Sequence, residues 1–271
     1  MKRQAADAKP LELLAHRHFV EEQFHDLKAQ RDAGPSSHMD FYSSGVGEEQ
    51  MQLLQESAGS LVGKRVLDFG CGMGWTSRLY AERGAIRVDG FDIASKNIGV
   101  AEKNAKRDGL ENRVFFRHLA AEDIDYPDSS FDIVMGKAIL HHTDLEKTAW
   151  QLNRVLAPGG RAFFLEPLAH NPFLNLFRRF TPSRRTPTET PLEMRDLAIF
   201  AQYFSVSYQG IHLFTLLAHF LLLITGSKSL FTKTHFVLRR WEKPVLQRFP
   251  YLQKYCWSGL LVFQKASRPD A

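Results

Sequence analysis

Residues 65–166 alternate short apolar runs with helix-length segments, and this alternation leaves the chain few folds to choose from. Arg65–Phe69 (RVLDF), Ile86–Asp92 (IRVDGFD), Val114–Arg117, Phe131–Gly136 (FDIVMG) and Arg161–Glu166 (RAFFLE) read as five buried strands. Trp75–Arg83, Ser95–Asp108 and Asp144–Leu156 lie between them and read as helices. Ser95 is a candidate N-cap, Gly109 a stop, and Ala157-Pro158-Gly159-Gly160 a turn. Strands joined by helices of this length form a parallel sheet covered on both faces. Phe204–Ile211 and Ser258–Gln264 add a sixth and a seventh strand. The expected class is therefore α/β: a doubly wound, mostly parallel, seven-stranded sheet.

The flanks are less regular. Leu11, Leu14, His18, Phe19, Phe24 and Leu27 mark one face of an N-terminal helix that ends at Gly34-Pro35-Ser36-Ser37. A second helix is expected over Glu48–Ala58. Asn171–Pro191 has four prolines and four arginines and reads as a long loop, followed by a helix over Leu192–Gln202. The predicted organisation is an N-terminal helical cap over 1–60 and one domain over 61–271. Residues 212–256 form a hydrophobic and basic helical insertion before the last strand.

Composition divides along the same line. Through Glu166 the chain carries 21 Lys and Arg against 25 Asp and Glu; from Pro167 onward it carries 14 against 5. The net charge of +5 therefore joins an acidic first part to a basic last part. Eight of the 21 phenylalanines precede Gly160, so the basic part is also the aromatic part. Its basic residues alternate with Phe, Leu and Trp, as in FVLRRWEKPVLQRFPYLQKYCW. That pattern suits a pocket for a lipophilic small molecule, or peripheral contact of 211–256 with an anionic membrane surface, better than a nucleic-acid arm. Plain packing of the insertion on the sheet would use the same residues. The two cysteines, Cys71 and Cys256, make neither a disulfide framework nor a four-Cys zinc site, and the 11 histidines show no metal-ligand spacing. The expected location is cytoplasmic. No secretory signal is predicted over Met1–Leu14, and Ile211–Thr225 falls short of the roughly 20 apolar residues a spanning helix needs.

VLDFGCGMGW, Val66 to Trp75, places Gly70, Gly72 and Gly74 between a strand and a helix. Glycine lets the backbone turn and approach a ligand, and the helix behind offers free N–H groups. Dinucleotide enzymes use a similar loop, so the turn alone does not choose a cofactor. Asp92 ends the second strand, where an acid suits the hydroxyls of a ribose or caps a turn.

More residues decide. VLDFGCGMG, AEDIDYPDSSFDIV (Ala121–Val134), Leu140-His141-His142 and Arg154-Val155-Leu156-Ala157-Pro158-Gly159-Gly160 together resemble the class I S-adenosylmethionine (SAM) methyltransferases of the small-molecule type, over about residues 62–167. The resemblance implies the Rossmann-like methyltransferase fold and SAM as cofactor. It implies that Gly70, Cys71, Gly72 and Gly74 approach the cofactor through the backbone and that Asp68 holds its amino group. Asp92 would bind the ribose, Ile93 the adenine face, and Ala121 and Glu122 the adenine edge. Gly136 and Lys137 would lie beside the methionyl chain. Tyr42 falls where such N-terminal segments fold over the cofactor. Many relatives have an acid at the position of Ala120, a role Glu122 or Asp123 would take, and small residues are frequent at the position of Lys137.

Methyl transfer needs a positioned nucleophile and, for a hydroxyl, a base. His142 and His141 follow the fourth strand and Glu166 ends the fifth, so His142 or His141 as base and Glu166 as its orienting acid are the catalytic candidates; structural packing of either histidine is the competing reading. His170 is a further pocket candidate, whereas His16, His18, His212 and His219 read as ordinary helix-face residues. The expected activity is SAM-dependent methyl transfer to a lipophilic small molecule such as a natural product, quinone or lipid precursor. The alternatives are an RNA or protein methyltransferase and a SAM-binding protein without transfer. The methylated atom and the oligomeric state stay open.

Overall fold

Alternate residues of each strand go to opposite faces, and the sequence is apolar at both. Val66, Val88, Ile133 and Phe163 pack into one core layer; Leu67, Phe91, Val134 and Phe164 pack into the other. The chain was analysed as a computed structural model that describes residues 2–32, 46–180, 186 and 188–267. Its seven strands are β1 (Arg65–Phe69), β2 (Arg87–Asp92), β3 (Val114–His118), β4 (Phe131–Lys137), β5 (Leu156–Pro167), β6 (Ser205–Ile211) and β7 (Ser258–Gln264). They form one sheet in the order β3-β2-β1-β4-β5-β7-β6. The first five strands are parallel, and β7 runs antiparallel to both β5 and β6. The strand order reverses between β1 and β4, which opens a crevice at their carboxyl ends. This is the doubly wound fold expected.

The helices are α1 (Lys2–Asp32), α2 (Val46–Ala58), α3 (Trp75–Glu82), α4 (Ser95–Arg107), α5 (Leu145–Val155), α6 (Pro172–Phe180), α7 (Leu197–Phe200), α8 (Leu216–Thr225) and α9 (Lys228–Arg248). α3, α4 and α5 cover the parallel strands as predicted. The Asp144 carboxylate accepts from the Lys147 N–H at 3.2 Å, so Asp144 caps α5 from outside the helix. The predicted stop at Gly34–Ser37 and the pocket candidate Tyr42 lie outside the described residues.

Three local expectations are corrected. Residues 157–160 are not a separate turn: β5 starts at Leu156, pairs it with Phe131, and resumes at Arg161 against Ile133 after a register shift. The expected loop after Asn171 contains α6. Asn171 Oδ1 accepts from the N–H groups of Phe173 and Leu174, and Pro172 sits in the first turn, where its missing N–H costs nothing. Residues 192–202 form a 3₁₀ turn (Met194–Asp196) and one turn of α7 rather than a full helix.

Between β6 and β7 run α8, α9 and the 3₁₀ segment Pro250–Tyr255. Leu216, Ala218, Leu222, Phe231 and Trp257 join Leu174 of α6 in a separate small core. Glu242 of α9 is fully buried and accepts from the N–H groups of His212, Phe214 and Thr215. One carboxylate thus satisfies otherwise orphaned donors at the start of α8 and ties α9 to the end of β6. No helix among the described residues is long and apolar enough to cross a membrane.

Candidate active site

The glycine turn forms because β1 ends in a buried Phe69 and α3 begins at Trp75, leaving five residues to reverse direction. Gly72 has φ 51°, and a Cβ there would meet nothing within 4 Å, so its backbone faces open space. Gly74, at φ 75°, is different: a Cβ would lie 2.6 Å from Phe116, so this glycine lets α3 pack against β3. Gly136 likewise serves packing, since a Cβ would fall 2.5 Å from Phe164. Neither Gly74 nor Gly136 lines the cavities described next.

A cavity of about 320 Å³ lies over the carboxyl ends of β1, β2 and β4. Gly70, Gly72, Asp92, Ile93, Ala121, Glu122, Lys137 and His142 line it, together with His18, Glu21 and His25 from α1. A smaller cavity of about 220 Å³, lined by Asp68, Cys71, Thr76 and Tyr80, shares Gly70, Gly72, Met73 and Lys137 with the first. Most residues expected around a nucleoside and a methionyl chain therefore meet in one continuous region.

The acids in it have defined partners. Asp68 is 3% exposed and accepts from Thr76 Oγ1 and Ser77 Oγ, both at 2.5 Å. Burial nevertheless raises its pKa to about 6, with the nearby Asp92 adding to the rise. Asp92 Oδ2 accepts from the Gly72 N–H at 2.9 Å; Oδ1 accepts from the Ala94 N–H and the Asn97 amide. Asp92 thus fastens the glycine loop to the end of β2 while its carboxylate remains at the cavity wall. Glu122 accepts from the Asp144 N–H at 2.7 Å and meets His18 Nε2 at 3.0 Å. Burial opposes its ionisation, but these donors outweigh it and hold the carboxyl below its usual range. Burial lowers the pKa of Lys137, whose ammonium donates to the Gly47 carbonyl at 3.4 Å. The Cys71 thiol is buried and its pKa is pushed well up, so it stays protonated.

The two histidines separate. Glu166 is fully buried at the end of β5; its Oε1 accepts from the N–H groups of Ile139 and Leu140 at 2.9 Å each, and its Oε2 lies 2.7 Å from His141 Nδ1. His141 and Glu166 are absent from the lining of both cavities. Glu166 thus pairs with His141, one of its two expected partners, away from both cavities, and His142 has a different acid. His142 lines the cavity, and its Nδ1 lies 3.0 Å from Glu21 Oε2. Glu21 is 2% exposed and accepts hydroxyl hydrogen bonds from Thr186, at 2.8 Å, and Thr188. Burial opposes ionisation of Glu21, yet His142, His25 and Thr188 together hold its carboxyl well below the usual range. Burial likewise pushes His142 below its ordinary value, against the pull of Glu21. Near neutral pH the pair is carboxylate and neutral imidazole.

Sequence reasoning missed Glu21 and His25 and read His18 as an ordinary helix-face residue. Their signal is HFVEEQFH, which places His18, Glu21 and His25 at i, i+3 and i+7 on one helical face. His170 instead accepts from the Met194 N–H at 3.2 Å and does not line either cavity.

Residues 66–160 match the family model described as methyltransferase domain. This part of the chain is similar to a methyltransferase domain. Over 123 residues it is 36% identical to the 27-O-demethylrifamycin SV methyltransferase of Amycolatopsis mediterranei, covering 44% of this chain and 45% of that protein. Over 109 residues it is 38% identical to a ubiquinone biosynthesis O-methyltransferase of Rhizobium etli, covering 40% and 43% respectively. The matched stretch spans less than half the length of either relative. The methyltransferase fold extends further: the [4+2]-cyclase SpnF superimposes over 91% of this chain and 96% of its own, with a TM-score of 0.61 at 20% identity. The geranyl diphosphate C-methyltransferase of Streptomyces coelicolor covers 86% and 87%, with a TM-score of 0.59 at 13% identity.

The buried Asp68 gives a direct check on this electrostatic picture. Carboxyl carbon NMR of the ligand-free protein should show Asp68 titrating near pH 6. Ser77→Ala removes a donor that favours the charged form and should move that midpoint upward; a midpoint in the ordinary range near 4 would contradict the geometry.

Proposed function

We propose that the chain is a SAM-dependent methyltransferase that methylates a hydroxyl of a lipophilic small molecule, with His142 as general base held by Glu21. The observation that carries this reading is the continuity of one cavity from the glycine loop to His142. The donor chemistry fits the cofactor. Asp68 is a buried carboxylate beside the smaller cavity, suited to an ammonium group. Gly72 offers open backbone, Asp92 stands at the wall for ribose hydroxyls, and Ile93 and Ala121 offer apolar surface for an adenine. SAM supplies an activated methyl group with its own leaving group.

The remaining work falls to the chain. Glu21 Oε2 stands 3.0 Å from Nδ1 of His142, where a carboxylate favours the tautomer with its proton on Nδ1 and a lone pair on Nε2. That nitrogen takes the proton of an acceptor hydroxyl as the oxygen attacks. Because burial keeps the imidazole neutral, the base form persists below the ordinary histidine range, and activity is lost only as pH falls through that lowered value. α1 lines the cavity with His18, Glu21 and His25 and so acts as a cap that excludes water from the transfer. The names of the rifamycin and ubiquinone relatives support an oxygen acceptor on a lipophilic molecule. The proposed function is tested by following labelled methyl transfer to an organic-extractable acceptor. His142→Ala should lower kcat by about 10²–10⁴ and Glu21→Gln by roughly tenfold or more, with SAM affinity unchanged in both. Full activity of His142→Ala excludes it as the base, and label found only in macromolecules contradicts the acceptor class.

The same acceptor chemistry favours a membrane-side location. Phe173, Leu176 and Phe180 of α6 and Phe236, Val237 and Trp241 of α9 are exposed large apolar side chains in the basic part of the chain. Such faces combine apolar insertion with attraction to anionic headgroups. Sedimentation with phosphatidylglycerol vesicles should retain the protein, and Trp241→Glu with Phe236→Glu should release it; equal binding to neutral phosphatidylcholine vesicles would contradict the electrostatic part.

A further inference from the structure

A second cluster lies away from the His142 wall, where the end of β6 meets α2 and α9. His212 directly follows β6, His235 is on α9 and Glu49 on α2. One donor atom from each lies within 4.8 Å of the others. His235 Nε2 is 3.5 Å from Glu49 Oε2. Ligand atoms around a tetrahedral zinc ion stand about 3.3 Å apart, given metal–ligand bonds of about 2.0–2.1 Å, so this edge is near metal-site length.

The decisive observation is that a ring nitrogen of His212 and one of His235 are both buried without a hydrogen bond. The His212 side chain is buried, with 1% of the residue exposed. Thr215 Oγ1 donates its single proton to Glu242 Oε2 and lies 3.0 Å from His212 Nδ1. When that proton goes to Glu242, the hydroxyl accepts from Nδ1–H of His212. Nε2 of His212 is buried without a hydrogen-bond partner, as is His235 Nε2. Two buried imidazole nitrogens without a hydrogen bond are costly in a protein interior. His212 also holds φ at 66°, a left-handed conformation that a residue with a Cβ rarely adopts.

We infer that Glu49, His212 and His235 form a binding site for one divalent cation of the zinc class. Two imidazoles and one carboxylate are a borderline donor set that suits zinc and leaves a fourth position for water. The surroundings match. Thr215 and Glu242 form an outer hydrogen-bonded chain to His212 Nδ1, the kind of outer contact that orients zinc-bound histidines. Arg239 bonds the other Glu49 oxygen and also lies 3.5 Å from Glu242. It orients the carboxylate, and Glu49 and Glu242 stand against two nearby cations, Arg239 and Lys137. Bound there, the ion clasps α2, β6 and α9, which are far apart in sequence, and so fastens the 212–256 segment to the N-terminal helices.

The test uses the full chain, stripped with chelator and titrated with Co²⁺ and Zn²⁺. The expected result is one Co²⁺ per chain with the visible bands of four-coordination, displaced by Zn²⁺, and a zinc-dependent rise in melting temperature. His235→Ala and Glu49→Gln should weaken binding by at least about 100-fold and abolish that rise, while melting in metal-free buffer near the wild type shows that both fold. His25→Ala, which disrupts the Glu21–His25–His142 group in the larger cavity, should leave stoichiometry and spectrum unchanged. Absence of binding to the wild type, or binding that survives His235→Ala and disappears in His25→Ala, overturns the site.

Discussion

The buried Glu166 carboxylate sets the geometry of the whole active region. It ends β5 with no exposure, and both of its oxygens are used: one by the N–H groups of Ile139 and Leu140, the other by His141. Backbone donors leaving a strand have no sheet partner, and a buried charge needs several donors, so each requirement meets the other. The loop after β4 is thereby fixed to the neighbouring strand. Ile139 then packs where a Cβ on Gly70 would otherwise stand, 2.9 Å from its Cγ1, and His142 is turned toward the cavity. Both the glycine loop and the proposed base take their positions from this one group.

Around that centre the charges are arranged in opposite senses. Asp68 has its pKa raised by burial, whereas Glu21 is held ionised by His142, His25 and Thr188. The first is a carboxylate with room for a cationic partner; the second already has its partner. One pocket can thus hold a charged cofactor end and keep a neutral imidazole ready at the other side.

The sheet was legible because buried parallel strands are local runs of apolar residues, and RVLDF, FDIVMG and RAFFLE needed no distant information. The glycine loop and Asp92 were legible for the same reason: their meaning follows from position at a strand end. Glu21 was not. A helix repeating at i, i+3 and i+7 shows a face but not what the face meets, and Glu21 meets His142 across 121 residues of chain. Glu166 was read with the right neighbour strand and a histidine partner, but sequence adjacency of His141 and His142 does not say which ring meets it. α6 was missed because four prolines and four arginines outweighed the Asn171-Pro172 helix start. The family match ends at Gly160, close to where the acidic part of the chain gives way to the basic one, so the segment that would shape the acceptor side lies beyond the family model.

The central claim is that the glycine loop and the His142–Glu21 pair serve one bound cofactor. A crystal structure with S-adenosylhomocysteine tests it most directly. The account predicts the ribose against Asp92, the amino group toward Asp68, and the sulfur facing the His142 side of the larger cavity. A nucleoside bound elsewhere, or a sulfur turned away from His142, would contradict it.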